Sequence, residues 1–102
     1  MATGESYASG NWLVAAGNEE AFVSHWTEFL EWTRADHQGF QTASLIRDAD
    51  DPRHFVSFAR WDDAESRAAW KQSPGFAQRM GACRALCDQF SGSDYATAVQ
   101  ID

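Results

Sequence analysis

Basic residues are scarce in this chain: 8 Lys and Arg stand against 15 Asp and Glu, a formal charge of −7. Binding to phosphates needs a basic patch, so nucleic acid is excluded as a partner, and an anionic membrane surface is disfavoured for the same reason. No apolar run approaches the roughly 18 to 20 residues that span a bilayer. The opening MATGESYASG has neither the basic start nor the apolar middle of a signal peptide, and the expectation is a cytoplasmic protein with no membrane partner. Cysteine is limited to Cys83 and Cys87, four apart on one face of what reads as a helix, a geometry that does not favour a mutual disulfide. They read as small core residues. Further ligands for a metal are lacking, the closest histidine, His54, being 29 positions from Cys83. Also missing are a G-x-G-x-x-G after a strand, a C-x-x-C-H and any His–carboxylate cluster at ligand spacing, so neither a metal nor a cofactor is expected.

What the chain does have is aromatic bulk: 44% of its residues are hydrophobic and 14% aromatic, with 5 Trp. Its 102 residues suffice for one domain with a working core and leave no room for a second. After a flexible start over residues 1–9, a single domain is expected over 10–102. GNWLVAA, residues 10–16, reads as a strand closed by Gly17-Asn18. Asn18 is a candidate N-cap for a helix to about Ala35, with Phe22, Trp26, Phe29, Leu30 and Thr33 at helical spacing. FQTASLIR, residues 40–47, gives a second strand, and DADDPR the hairpin loop. FVSFARW, residues 55–61, is the third strand. Asp62 and Asp63 can cap a helix running through Trp70 to the break at SPGF, residues 73–76. Phe76, Met80, Cys83, Leu86, Cys87 and Phe90 predict an amphipathic continuation, and Tyr95 to Ile101 a last strand.

This order, β-α-β-β-α-β, defines an α+β, ferredoxin-like antiparallel sheet with its helices on one face. In the third strand Phe55, Ser57, Ala59 and Trp61 alternate with Val56, Phe58 and Arg60, so neither face is clearly polar. Helices cover one face only. A second copy of the chain is therefore expected on the other, making a homodimer with a barrel between subunits.

Three stretches carry a family resemblance. FVSFARWDDAESRAAWKQSPGF, Phe55 to Phe76, resembles the signature of the antibiotic biosynthesis monooxygenase (ABM) family: a strand ending in Trp, an acidic cap, a helix with a second Trp, then S-P-x-F. NWLVAAGNEEAF resembles its first strand and turn, and HQGFQTASLIRDADDP its P-G-F second strand, with Gln38 in place of Pro. The resemblance implies a dimeric α+β barrel with a pocket in each subunit between helices and sheet. In pattern it is nearest the cofactor-independent anthrone oxygenases, whose first-strand Asn and strand-closing Trp fall on Asn11 and Trp61, the expected catalytic pair. Another subtype has an Asn four residues before that Trp, where this chain has Ser57. The haem-degrading branch pairs the same Asn with the Trp of the second helix, here Trp70, and a His ten residues later, where Met80 stands.

The implied activity is oxidation of an aromatic polyketide-type phenol or anthrone by O2 without a cofactor. Such a substrate supplies its own electrons, because deprotonation gives an extended carbanion that can reduce dioxygen. Asn11 would donate to the oxyanion and Trp61 orient the ring. A lining of Trp70, Phe55, Ser57, Trp26, Phe76 and Met80 would suit a flat ligand, although Trp26 and Phe76, at helical spacing, read first as core. The alternatives are haem binding and degradation on the same fold, and a non-catalytic dimeric module for a hydrophobic metabolite.

Overall fold

Alternation within two strands sets the architecture. The computed structural model describes residues 6–102. β1 (Ser6–Val14) and β3 (His54–Trp61) lie side by side in the centre of a four-stranded antiparallel sheet, flanked by β2 (Phe40–Arg47) and β4 (Cys87–Ala96), in the order β2-β3-β1-β4. Trp12, Val14, Phe55, Ala59 and Trp61 turn to one face and form the core with Phe22, Phe29 and Leu30 of α1 (Glu19–Asp36), Trp70 of α2 (Ala64–Gln72) and Cys83 of α3 (Pro74–Arg84). The intervening residues of β1 and β3 face away from the helices. This is the ferredoxin-like βαββαβ fold, its second helical segment broken in two.

That break is local chemistry. Ser73 ends α2 in extended backbone, with its Oγ donating to the Trp70 carbonyl at 2.7 Å, and Pro74 opens α3 where its missing N–H is least needed. Asp63 caps α2, its carboxylate accepting from the Ser66 N–H at 2.8 Å, and this hydrogen bond holds the Asp63 carboxyl below its usual range. Asn18 stands at the cap position of α1 but caps nothing with its side chain; its Nδ2 donates to the Leu86 carbonyl at 3.4 Å, tying α1 to the start of β4.

Three boundaries differ from the expected ones. β1 begins at Ser6 and ends at Val14, so Ser6 to Ser9 belong to the sheet and not to a flexible start; the rest of that start lies outside the described residues. α3 stops at Arg84 instead of continuing to Phe90, and the last strand runs Cys87–Ala96 instead of 95–101. The cause is a bulge. Trp12 pairs with Phe90 and Leu13 with Gln89, but Val14 pairs with Cys87, leaving Asp88 as an extra residue. An inserted residue lets positions three apart in a strand share a face, which imitates one helical turn.

No helix among the described residues is long and apolar enough to cross a membrane. Cys83 and Cys87 are free thiols, and burial pushes Cys83 up to about 12. Among the described residues no group of His, Cys, Asp and Glu could hold a metal ion.

Candidate active site

The inner face of the sheet is bulky at both ends and nearly bare in the middle. At one end Phe55, Trp12 and Phe90 stand in register across β3, β1 and β4; at the other, Trp61 pairs with Phe40 of β2. Between them lies the row Ser57, Gly10, Gly92, beside the pair Ala59 and Ala8. A strand of given pleat rises to the height of its side chains, so a row of small residues inside an aromatic border leaves a hollow. That hollow has a volume of about 330 Å³, at the lower end of small-molecule sites. Its roof is Trp26, Phe29 and Leu30 of α1, Trp70 of α2, and Phe76 and Met80 of α3.

Polar chemistry inside the cavity centres on Ser57. Trp12 Nε1–H donates to Ser57 Oγ at 3.0 Å, and both residues are buried. Gly10 makes this bond possible: a Cβ there would come within 2.5 Å of Trp12 Nε1 and 2.9 Å of Ser57 Oγ. With one lone pair of Ser57 Oγ engaged, its own O–H is left to donate into the cavity. The opposite wall is fixed just as firmly. Trp70 Nε1–H donates to Thr33 Oγ1 at 2.9 Å, the Thr33 hydroxyl donates to the Phe29 carbonyl at 2.9 Å, and the Trp70 ring stacks on Phe29 and meets Phe76 edge-on. At the rim are two cations, Lys71 and Arg84.

Of the residues expected at the site, Ser57, Trp26, Trp70, Phe76 and Met80 line this cavity. Phe55 is inner and buried but packs against Phe22, outside the lining. Asn11 and Trp61 do not meet. Trp61 is fully buried on the inner face behind Trp70, ring centroids 4.9 Å apart, whereas Asn11 is exposed on the outer face. There its Oδ1 lies 2.8 Å from His54 Nε2, and His54 Nδ1 lies 2.9 Å from Asp48 Oδ2. The reason is parity: in β1, Asn11 points opposite to Trp12 and Gly10, and in β3 the inner positions are the odd ones from Phe55 to Trp61. The expectation that these two share one hollow is therefore corrected. Trp12, Gly10, Phe90 and Arg84 were missing from the expected lining. Small residues at alternate positions, Ala8 and Gly10, then Ser57 and Ala59, within an aromatic-rich chain were the available signal.

Haem does not suit this lining. Iron would find one thioether, Met80, and no imidazole, thiolate or phenolate among the lining residues, in a hollow of about 330 Å³.

The antibiotic biosynthesis monooxygenase family matches residues 8–81, and the chain belongs to that family. Its fold is that of SnoaB, a cofactor-independent oxygenase from Streptomyces nogalater, which is 26% identical over 95% of each chain with a TM-score of 0.84. A point mutant of SnoaB superposes with a TM-score of 0.88 over 96% of this chain and 97% of that one, at 22% identity. The same fold recurs in a conserved protein from Methanosarcina mazei Go1, with a TM-score of 0.82, 14% identity, and coverage of 92% of this chain and 93% of the other. No curated protein matches the sequence.

Proposed function

We propose that this chain is a cofactor-independent monooxygenase that oxidises an aromatic polyketide-type phenol or anthrone with O2 in the cavity between sheet and helices. The observation that carries this reading is a small, aromatic-walled hollow whose buried polar side chain, Ser57, is oriented by the Trp12 indole. The flat walls of Trp70 and Trp26 hold a planar substrate. Ser57 donates its O–H to the substrate oxygen as that oxygen gains negative charge on deprotonation, and the Trp12 N–H polarises the hydroxyl from behind. The released proton passes to solvent at the open rim. The carbanion then gives one electron to O2; the radical pair combines at carbon, and the peroxide loses water. For an anthrone the balance is one O2 consumed and one quinone and one water formed. All reducing electrons come from the substrate, which is why such chemistry needs a dry, shaped site more than a cofactor.

The working unit in this reading is a homodimer. Phe58, Ile46 and Tyr95 project from the outer face of the sheet and are more than a third exposed, an apolar surface suited to a second copy of the same face. SnoaB's description as cofactor-independent supports the reading of the chemistry.

The test is an anthrone in air-saturated buffer with metal and flavin removed, following quinone absorbance and O2 uptake together. Equal consumption of O2 and anthrone is expected, lost when Gly10→Val fills the hollow. Quinone formation that survives this substitution at the wild-type rate would end the proposal.

A further inference from the structure

The cavity has a charged end as well as a polar one. Arg84 lies on its lining at the last turn of α3, with its guanidinium carbon 5.3 Å from the centre of the Phe90 ring. Phe90 sits 4.3 Å from Trp12, centroid to centroid, and Trp12 donates to Ser57. One wall thus runs from a cation through two aromatic rings to a buried hydroxyl. The two rim cations differ in their partners. Lys71 is 2.5 Å from Asp94 Oδ1, which also lies 3.6 Å from Arg67 Nε, so its charge is answered. Arg84 makes no ion pair with any carboxylate among the described residues, in a chain where acids outnumber bases by 15 to 8.

Resting on the reading of the cavity given above, we infer that the substrate is an aromatic acid whose carboxylate is held by Arg84 at the rim while its phenolic or keto oxygen meets Ser57 within. A guanidinium offers a planar fork of donors that matches a carboxylate, and a cation–π contact with the Phe90 ring, 5.3 Å from guanidinium carbon to ring centre, keeps the head group beside the cavity without using its N–H donors. The hydroxyl fixes one end of the ring system and the guanidinium the other. Such an anchor sets orientation, and with it which ring carbon faces O2.

The experiment measures binding under nitrogen, so that no turnover intervenes, by quenching of tryptophan fluorescence. The probes are an anthrone bearing a carboxylate on its outer ring and the methyl ester of the same compound. Wild-type protein is expected to hold the acid roughly fivefold more tightly than the ester, the scale of a part-exposed ion pair. Arg84→Gln is expected to bring the acid-to-ester affinity ratio to about one, while Arg84→Lys retains part of the preference. Raising the salt concentration should narrow the gap in wild type and in Arg84→Lys, and have no gap to narrow in Arg84→Gln. Acid and ester bound equally well by wild type, or a preference that persists in Arg84→Gln, overturns the anchor and leaves the oxygenase reading standing. Failure of both probes to bind overturns the two together.

Discussion

The two faces of the sheet are made from the same strands and the same kinds of residue, yet they differ in what they can do. On the inner face Trp12, Phe55 and Trp61 are locked by the helices, each at most 3% exposed, around a floor of Gly10, Gly92 and Ser57. On the outer face Phe58, Ile46 and Tyr95 stand in the open beside a polar chain of Asp48, His54 and Asn11. In the proposed reading, shielding from water separates a place for chemistry from a place for contact. An O–H donor such as Ser57, 7% exposed beneath the helices, counts for more than an amide such as Asn11, which is exposed on the outer face of the single chain.

Five perturbations sharpen that contrast, beginning with the most severe. Trp61→Ala empties the fully buried ring behind Trp70 and should cost about 3 to 5 kcal/mol in urea unfolding, whereas Phe58→Ala, its counterpart across the sheet, should cost well under half as much. Comparable losses for both would show that the outer face is equally packed. Phe58→Asp then addresses the proposed assembly: sedimentation is expected to report a dimer for wild type and a monomer for the variant. Gly10→Val comes next, because its side chain would strike Trp12 and Ser57, at a cost of about 1 to 3 kcal/mol with binding of planar ligands abolished.

Ser57→Ala removes the acceptor of a buried indole N–H and should lower stability by about 1 to 3 kcal/mol. Quinone formation should fall about tenfold to a hundredfold with it, and Asn11→Ala should reduce the rate by less than about threefold. The reverse order of these two activities would move the chemistry to the outer face. The mildest change is one of pH. Burial raises Cys83 to about 12 from an ordinary thiol value of 9.0, so its contribution to stability is complete below about 9 and is lost as pH climbs from there toward 12. A thiol reagent at pH 8 should accordingly modify Cys83 only at the rate of unfolding.

Much of this was readable in the chain. The strand and helix order followed from alternation and helical spacing, and β2 was located residue for residue, because FQTASLIR is bounded by Gly39 and the aspartate-rich loop. β4 was less legible: its bulge at Asp88 gives Cys87 and Phe90 the spacing of a helix. The lining was legible where bulk marked it, at Trp26, Trp70, Phe76 and Met80, and hidden where absence of bulk did, at Gly10 and Gly92. Asn11 illustrates a different limit. A motif gives a residue's position along the strand, but the face is fixed by its neighbours, and Trp12 and Val14 had already claimed the inside.

Because the hollow is formed by side chains that the central strands do not carry, its dimensions are independent of the ladder that holds those strands together. A methyl group removed at position 59 would widen the outline of an acceptable guest, and one added at position 92, 3.0 Å from the Phe90 ring, would narrow it by pushing that ring, while the hydrogen bonds of the backbone stayed as they are. The range of guests such a scaffold admits can change in single steps, at positions where the neighbouring rings can give way.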